Sequence, residues 1–114
     1  MSESGQSWRR EFKAHPAEAC QVRQWVRARL ERLDAQQVAH ELFVAVMTTG
    51  TEAVEMTLST AGPRVRIASA GSVELALRHC YGAGFYIVDG LSAQSGVNTD
   101  GHGLWALLSA RDET

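Results

Sequence analysis

The residues best suited to chemistry in this sequence are a single helix carboxylate, two glycine-containing turns and a scatter of histidines and cysteines. Glu41 opens the segment Glu41-Leu42-Phe43-Val44-Ala45-Val46-Met47-Thr48-Thr49-Gly50, which has helical spacing and ends in glycine. Taken by itself, Glu41 is an exposed or capping helix carboxylate. Gly82-Ala83-Gly84 precedes Phe85-Tyr86-Ile87-Val88, so it opens a helix whose free N–H groups can bind an anion, or it marks a turn with close packing. His15, His40, His79 and His102 accompany Cys20 and Cys80, but no Cys-x-x-Cys or His-x-x-x-His spacing gathers them into a metal set. No Gly-x-Ser-x-Gly elbow accompanies the serines, so hydrolase chemistry has no local signature.

These residues must be positioned by a chain of 114 residues, 45% hydrophobic and 21% charged, which is enough for one packed core. We read residues 1–7 as a flexible tail and 8–114 as one domain. A formal net charge of -2 and a pI near 6.0 argue against nucleic acid as the main partner, because the chain lacks the cationic excess that neutralises phosphates. No apolar run approaches the roughly 20 residues that cross a bilayer, and MSESGQSW lacks the basic-then-apolar layout of a secretory signal. The expectation is a cytoplasmic protein with reduced cysteines and no membrane contact.

The apolar pattern predicts the elements. Trp8 to Lys13 reads as a short edge strand. Pro16 suits the first turn of a helix from Ala17 to Leu33, with Val22, Trp25, Val26, Leu30 and Leu33 on its inner face and Arg23, Arg27, Arg29, Glu31 and Arg32 outside. Asp34 caps a second helix reaching Thr49, with Val38, Leu42, Ala45 and Val46 at helical spacing. Val54, Met56 and Leu58 alternate with Glu55 and Thr57, and Val65 and Ile67 alternate with Arg64 and Arg66, so two strands form a hairpin across Ala61-Gly62-Pro63. Ser72 caps a helix from Val73 to His79 with the stripe Val73, Ala76, Leu77 and Cys80. A further helix spans Phe85 to Ser92, and Asn98-Thr99-Asp100-Gly101 turns into a last strand at Leu104 to Leu108. Trp8, Trp25 and Trp105 fall on three elements and read as packing residues. The order gives an α+β fold: a two-layer α/β sandwich with a mixed, mostly antiparallel sheet and helices on one face.

This layout resembles the GHKL ATPases, of histidine-kinase-like fold, and in particular the small bacterial anti-sigma-factor serine kinases. In that family the second helix carries a Glu-Leu followed by a metal-binding Asn four residues after the Glu. Here Glu41 matches the carboxylate that acts as base, and Ala45 stands in the place of the Asn. Phosphoryl transfer needs a metal to bridge the phosphates and neutralise developing charge, and a methyl group cannot ligate magnesium. The family's adenine-binding Asp-x-Gly corresponds to Ser69-Ala70-Gly71, which keeps Gly71 and replaces the carboxylate by a shorter, weaker acceptor. Its phosphate-facing Gly-x-Gly corresponds to Gly82 and Gly84. Where the family carries a polar, mobile lid, this chain has the short apolar segment Ser72 to Tyr81. The expectation is that its stripe fills the cleft, with an exposed contact surface as the alternative.

What the resemblance implies is therefore a degenerate site. The first expectation is a regulatory module of anti-sigma-factor type, a pseudoenzyme that binds a protein partner such as a sigma factor or antagonist, or a second copy, and needs no cofactor. The arginine face of the first helix and the replaced lid are its two candidate surfaces. The alternative is an ATP- and magnesium-dependent serine kinase with a variant site, in which Glu41 would be catalytic and Gly71, Gly82 and Gly84 would bind nucleotide.

Overall fold

The computed structural model describes residues 5–82 and 84–109. Strand β1 (Gly5–Lys13) leads through a 3-10 turn, Pro16–Glu18, into α1 (Ala19–Arg27) and α2 (Leu33–Met47). The hairpin β2 (Ala53–Ala61) and β3 (Arg64–Ala70) follows, then α3 (Leu77–Cys80), α4 (Phe85–Leu91) and the hairpin β4 (Ser92–Val97) and β5 (Gly103–Leu108). The five strands form one sheet in the order β1-β2-β3-β5-β4.

All four strand pairings are antiparallel, which corrects the expectation of a mixed sheet. The cause lies in the connections. With two helices between β1 and β2 the chain reverses three times, entering α1, entering α2 and entering β2, so β2 returns opposite to β1, where a single crossover helix would have reversed it twice and made it parallel. Later, β5 folds back between β3 and β4 and separates the two strands that run the same way.

Period-two burial builds the sheet half of the core. Val54, Met56 and Leu58 of β2, Val65 and Ile67 of β3, and Leu104, Ala106 and Leu108 of β5 are buried on the helix-bearing face. Val38, Leu42, Phe43 and Val46 of α2 meet them, with Val22, Trp25 and Val26 of α1 beside. Phe12 joins the layers: its ring lies edge-on to Trp25 at 5.9 Å and to Phe43 at 6.3 Å. The result is a two-layer α+β sandwich.

Three boundaries differ from the sequence pattern. Strand β1 begins at Gly5, so part of the expected tail, Gly5 to Ser7, pairs with β2; residues 1–4 of that tail lie outside the described residues. The first helix stops at Arg27 and not at Leu33, whose side chain is 81% exposed at the start of α2. Arg32 is extended between the helices and nearly buried, donating to the Asp34 carboxylate at 2.6 Å and to the Ser109 carbonyl at 3.1 Å. It therefore leaves the exposed arginine face predicted for it. Asp34 sits in the first turn of α2, where its Oδ1 accepts from the Ala35 N–H. The helix thus begins one residue before its expected cap and ends at Met47, short of Thr49; Gly50 follows in the turn at φ +92°, a conformation that favours glycine.

The expected helix from Val73 to His79 is also replaced. The Gly71 N–H donates to the His102 carbonyl and the Leu75 N–H to the Gly101 carbonyl, which ties this segment in extended form to the β4–β5 turn. Only Leu77 to Cys80 remains helical.

Candidate functional site

Helix α2 holds the site because its two faces do different work. Leu42, Phe43 and Val46 enter the core, while Glu41, Ala45 and Thr48 recur at four and three residues and face the neighbouring segment. Between that face, the α3–α4 segment and strands β4 and β5 lies a half-enclosed cavity of about 330 Å³. Its wall takes Glu41, Ala45 and Thr48 from α2, Gly82, Gly84 and Phe85 from the turn and helix opposite, and Gly96 and Leu104 from the strands.

The lining is mainly apolar. Glu41, Arg78 and His79 are the wall's charged or titratable side chains besides the Cys80 thiol and Tyr81 hydroxyl. His79 Nδ1 accepts from the Ala76 N–H at 2.9 Å, which fixes the ring across the start of α3. Burial pushes the Cys80 thiol above its ordinary value by penalising the thiolate. Glu41 makes no salt bridge among the described residues.

Gly84 packs against Glu41. A Cβ there would collide with the Glu41 carboxylate, so the backbone of the turn lies directly against that side chain. The chain thus brings Glu41, Ala45, Gly82 and Gly84 to one cavity; Ala83 lies outside the described residues. Gly71 is elsewhere. A Cβ on it would press on Thr51 and Val46 at 2.9 Å, placing it against the end of α2 and outside the cavity wall. Ser69 is fully buried on the helix-bearing face, with an Oγ that has no hydrogen-bond partner among the described residues.

The segment 72–81 does not fill the cleft as expected. Leu77 is 78% exposed and Tyr81 63% exposed, while Leu75 packs against the edge of the core. Tyr81 instead stacks obliquely on Phe85 with ring centroids 5.0 Å apart, and Phe85 meets the exposed Tyr86 at 5.6 Å. Tyr81 and Phe85 are part of the cavity wall, and the exposed Leu77 and Tyr86 lie next to wall residues Arg78 and Phe85 in the chain. Sequence reasoning missed β4 as a wall of the site, because Ser92 to Val97 carries no apolar alternation. Its placement comes from pairing with β5, where Gly96 lies close under the Trp105 ring.

The wall can enclose a mainly apolar group and accept one or two hydrogen bonds at Glu41. Among the described residues, no three His, Cys, Asp or Glu side chains are grouped so as to hold a metal ion. Nor is any helix there long and apolar enough to cross a membrane. Cys20, exposed on α1, and Cys80 are both free thiols.

No protein-family model matches this chain, and no curated protein matches it.

Proposed function

We propose that the protein is a regulatory protein-interaction module of anti-sigma-factor-like type, built on a GHKL-like frame and not acting through ATP. The observation that carries this reading is the cavity wall around Ala45. Its methyl group stands one helical turn from Glu41 and opposite Gly82 and Gly84, where magnesium-dependent phosphoryl transfer would require an oxygen ligand. The exposed Leu77, Tyr81 and Tyr86 of the α3–α4 segment support the second half of the reading. Large apolar side chains held on the surface are suited to a protein contact, and tyrosines are enriched where such contacts bind tightly.

A second reading, an ATP-dependent serine kinase with a variant site, is favoured by one observation. Leu77 and Tyr81 leave the cavity open, so its volume is accessible to a ligand. Thermal unfolding in the presence of ATP and magnesium separates the two. Binding at a hundredfold excess over Kd would stabilise the fold by about 2.7 kcal/mol. The module reading expects an unchanged melting temperature. A magnesium-dependent rise overturns it in favour of the kinase.

A further inference from the structure

Seven of the eleven basic residues of the chain lie between Arg9 and Arg32, a stretch with only Glu11, Glu18 and Glu31 as acidic residues. The fold concentrates part of that charge further. A second, more open groove of about 310 Å³ runs between β1 and α1, lined by Arg9, Arg10 and Arg29 together with Gln21, Gln24 and Trp25. Arg10 lies over the Phe12 ring, its guanidinium 4.8 Å from the centroid, so an aromatic contact holds the charge in place. Among the described residues no carboxylate lies within 4.0 Å of Arg10 or Arg29. Arg9 meets Glu55 at 3.6 Å, with both side chains largely in water, where such a pair is weak.

The backbone beside this groove is also unpaired. Strand β1 is nine residues long and terminal in the sheet, with β2 as its sole neighbour among the described residues. An edge of that length offers a row of free N–H and C=O groups to an added strand. Arg9 pairs with Thr57 and Arg10 with Met56, so consecutive arginines point to opposite faces of the sheet. A second copy would bring a strand of the same net positive charge, from Arg9, Arg10 and Lys13 against Glu11, which disfavours self-pairing.

We propose that the β1 edge docks an extended acidic segment of a protein partner. The segment adds as a sixth strand, with one carboxylate meeting Arg9 on the open face and the next meeting Arg10 and Arg29 on the helix-bearing face. Backbone hydrogen bonds supply the register and the paired guanidiniums supply the preference for acidic residues. The groove is separate from the cavity under α2, so a magnesium–ATP response there leaves this assignment standing.

The test uses the full chain and a fluorescein-labelled peptide, Thr-Val-Glu-Glu-Val-Glu-Glu-Val, followed by fluorescence anisotropy at low salt. Saturable binding is expected, weakened about tenfold by Arg10→Gln and again by Arg29→Gln, with the melting temperature retained. Methylating alternate peptide nitrogens removes donors to the edge and should abolish binding, while amide exchange along β1 should slow only with the unmethylated peptide. The proposal is overturned by absence of binding at low salt, or by equal binding of the Gln-for-Glu peptide or the methylated peptide. It is equally overturned if an oligothymidylate of matching charge competes as well as the peptide does, since that would make the groove a general polyanion site.

Discussion

The cavity beneath α2 and the groove beside α1 are nearly equal in volume, about 330 and 310 Å³, yet their walls are opposite in kind. One is half-enclosed, mostly apolar and continuous with the core through Leu42 and Leu104. The other is open, cationic and rooted on a strand edge. The difference teaches that the size of a recess says little about what it takes. Wall chemistry and the freedom of neighbouring backbone groups carry that information. It also separates residues that hold the fold from residues left free for a partner.

Substitutions can break or sharpen this contrast. The largest effect is expected from Phe43→Ala in α2, which removes a fully buried ring packed edge-on against Phe12 and leaves a cavity where the two layers meet. Urea unfolding should show a loss of roughly 3–5 kcal/mol. A loss under about 1 kcal/mol would mean that α2 is not the frame of the site.

Asp34→Ala comes next. It strands the nearly buried Arg32 guanidinium, which among the described residues keeps only its bond to the Ser109 carbonyl. Because the Asp34 side chain is 26% exposed, a loss of roughly 1–3 kcal/mol is expected in the same assay. This result would confirm that Arg32, despite its place in the basic stretch, belongs to the fold. Arg29→Gln should by contrast change stability by no more than about 0.5 kcal/mol, since its charge has no carboxylate partner among the described residues. A large loss there would erase the distinction between the two recesses.

The smallest effect concerns the cavity thiol. The folded state raises the Cys80 value, so the stability gained from keeping it protonated is present below the ordinary value of 9.0 and is lost as pH rises through the higher folded value. Alkylation by iodoacetamide near pH 8 should accordingly be slower at Cys80 than at the exposed Cys20, as read by peptide mass analysis. Equal rates would place Cys80 in open solvent and contradict its position in the wall.

Much of the architecture was legible because local pattern and final burial agree. The alternation of Val54, Met56 and Leu58 survives in β2, and that of Val65 and Ile67 in β3. Glu41 and Ala45 are four residues apart on one helix, so their shared face needed no tertiary information. Other features depend on contacts that no local window contains. Leu75 and Gly71 are held extended by carbonyls of Gly101 and His102, which overrides the helical spacing of Val73 to Cys80. The polar strand β4 exists through its pairing with β5. The basic groove was half visible: Arg29 stood out on the first helix, but its convergence with Arg10 requires β1 to pack beside α1. Ala45, in turn, offers the cavity a methyl group and no metal-ligating atom, a fact of residue chemistry legible in the sequence whose place in the wall only the fold shows.

The central claim is that the Glu41–Ala45 frame keeps its shape without handling ATP, and residue-resolved NMR tests it most directly. The 15N-labelled protein would be titrated with ATP, with and without magnesium, while the amides of Glu41, Ala45, Gly82 and Gly84 are followed. The account expects no saturable, magnesium-dependent shift at these positions. Such shifts converging on the cavity wall at micromolar ATP would contradict it.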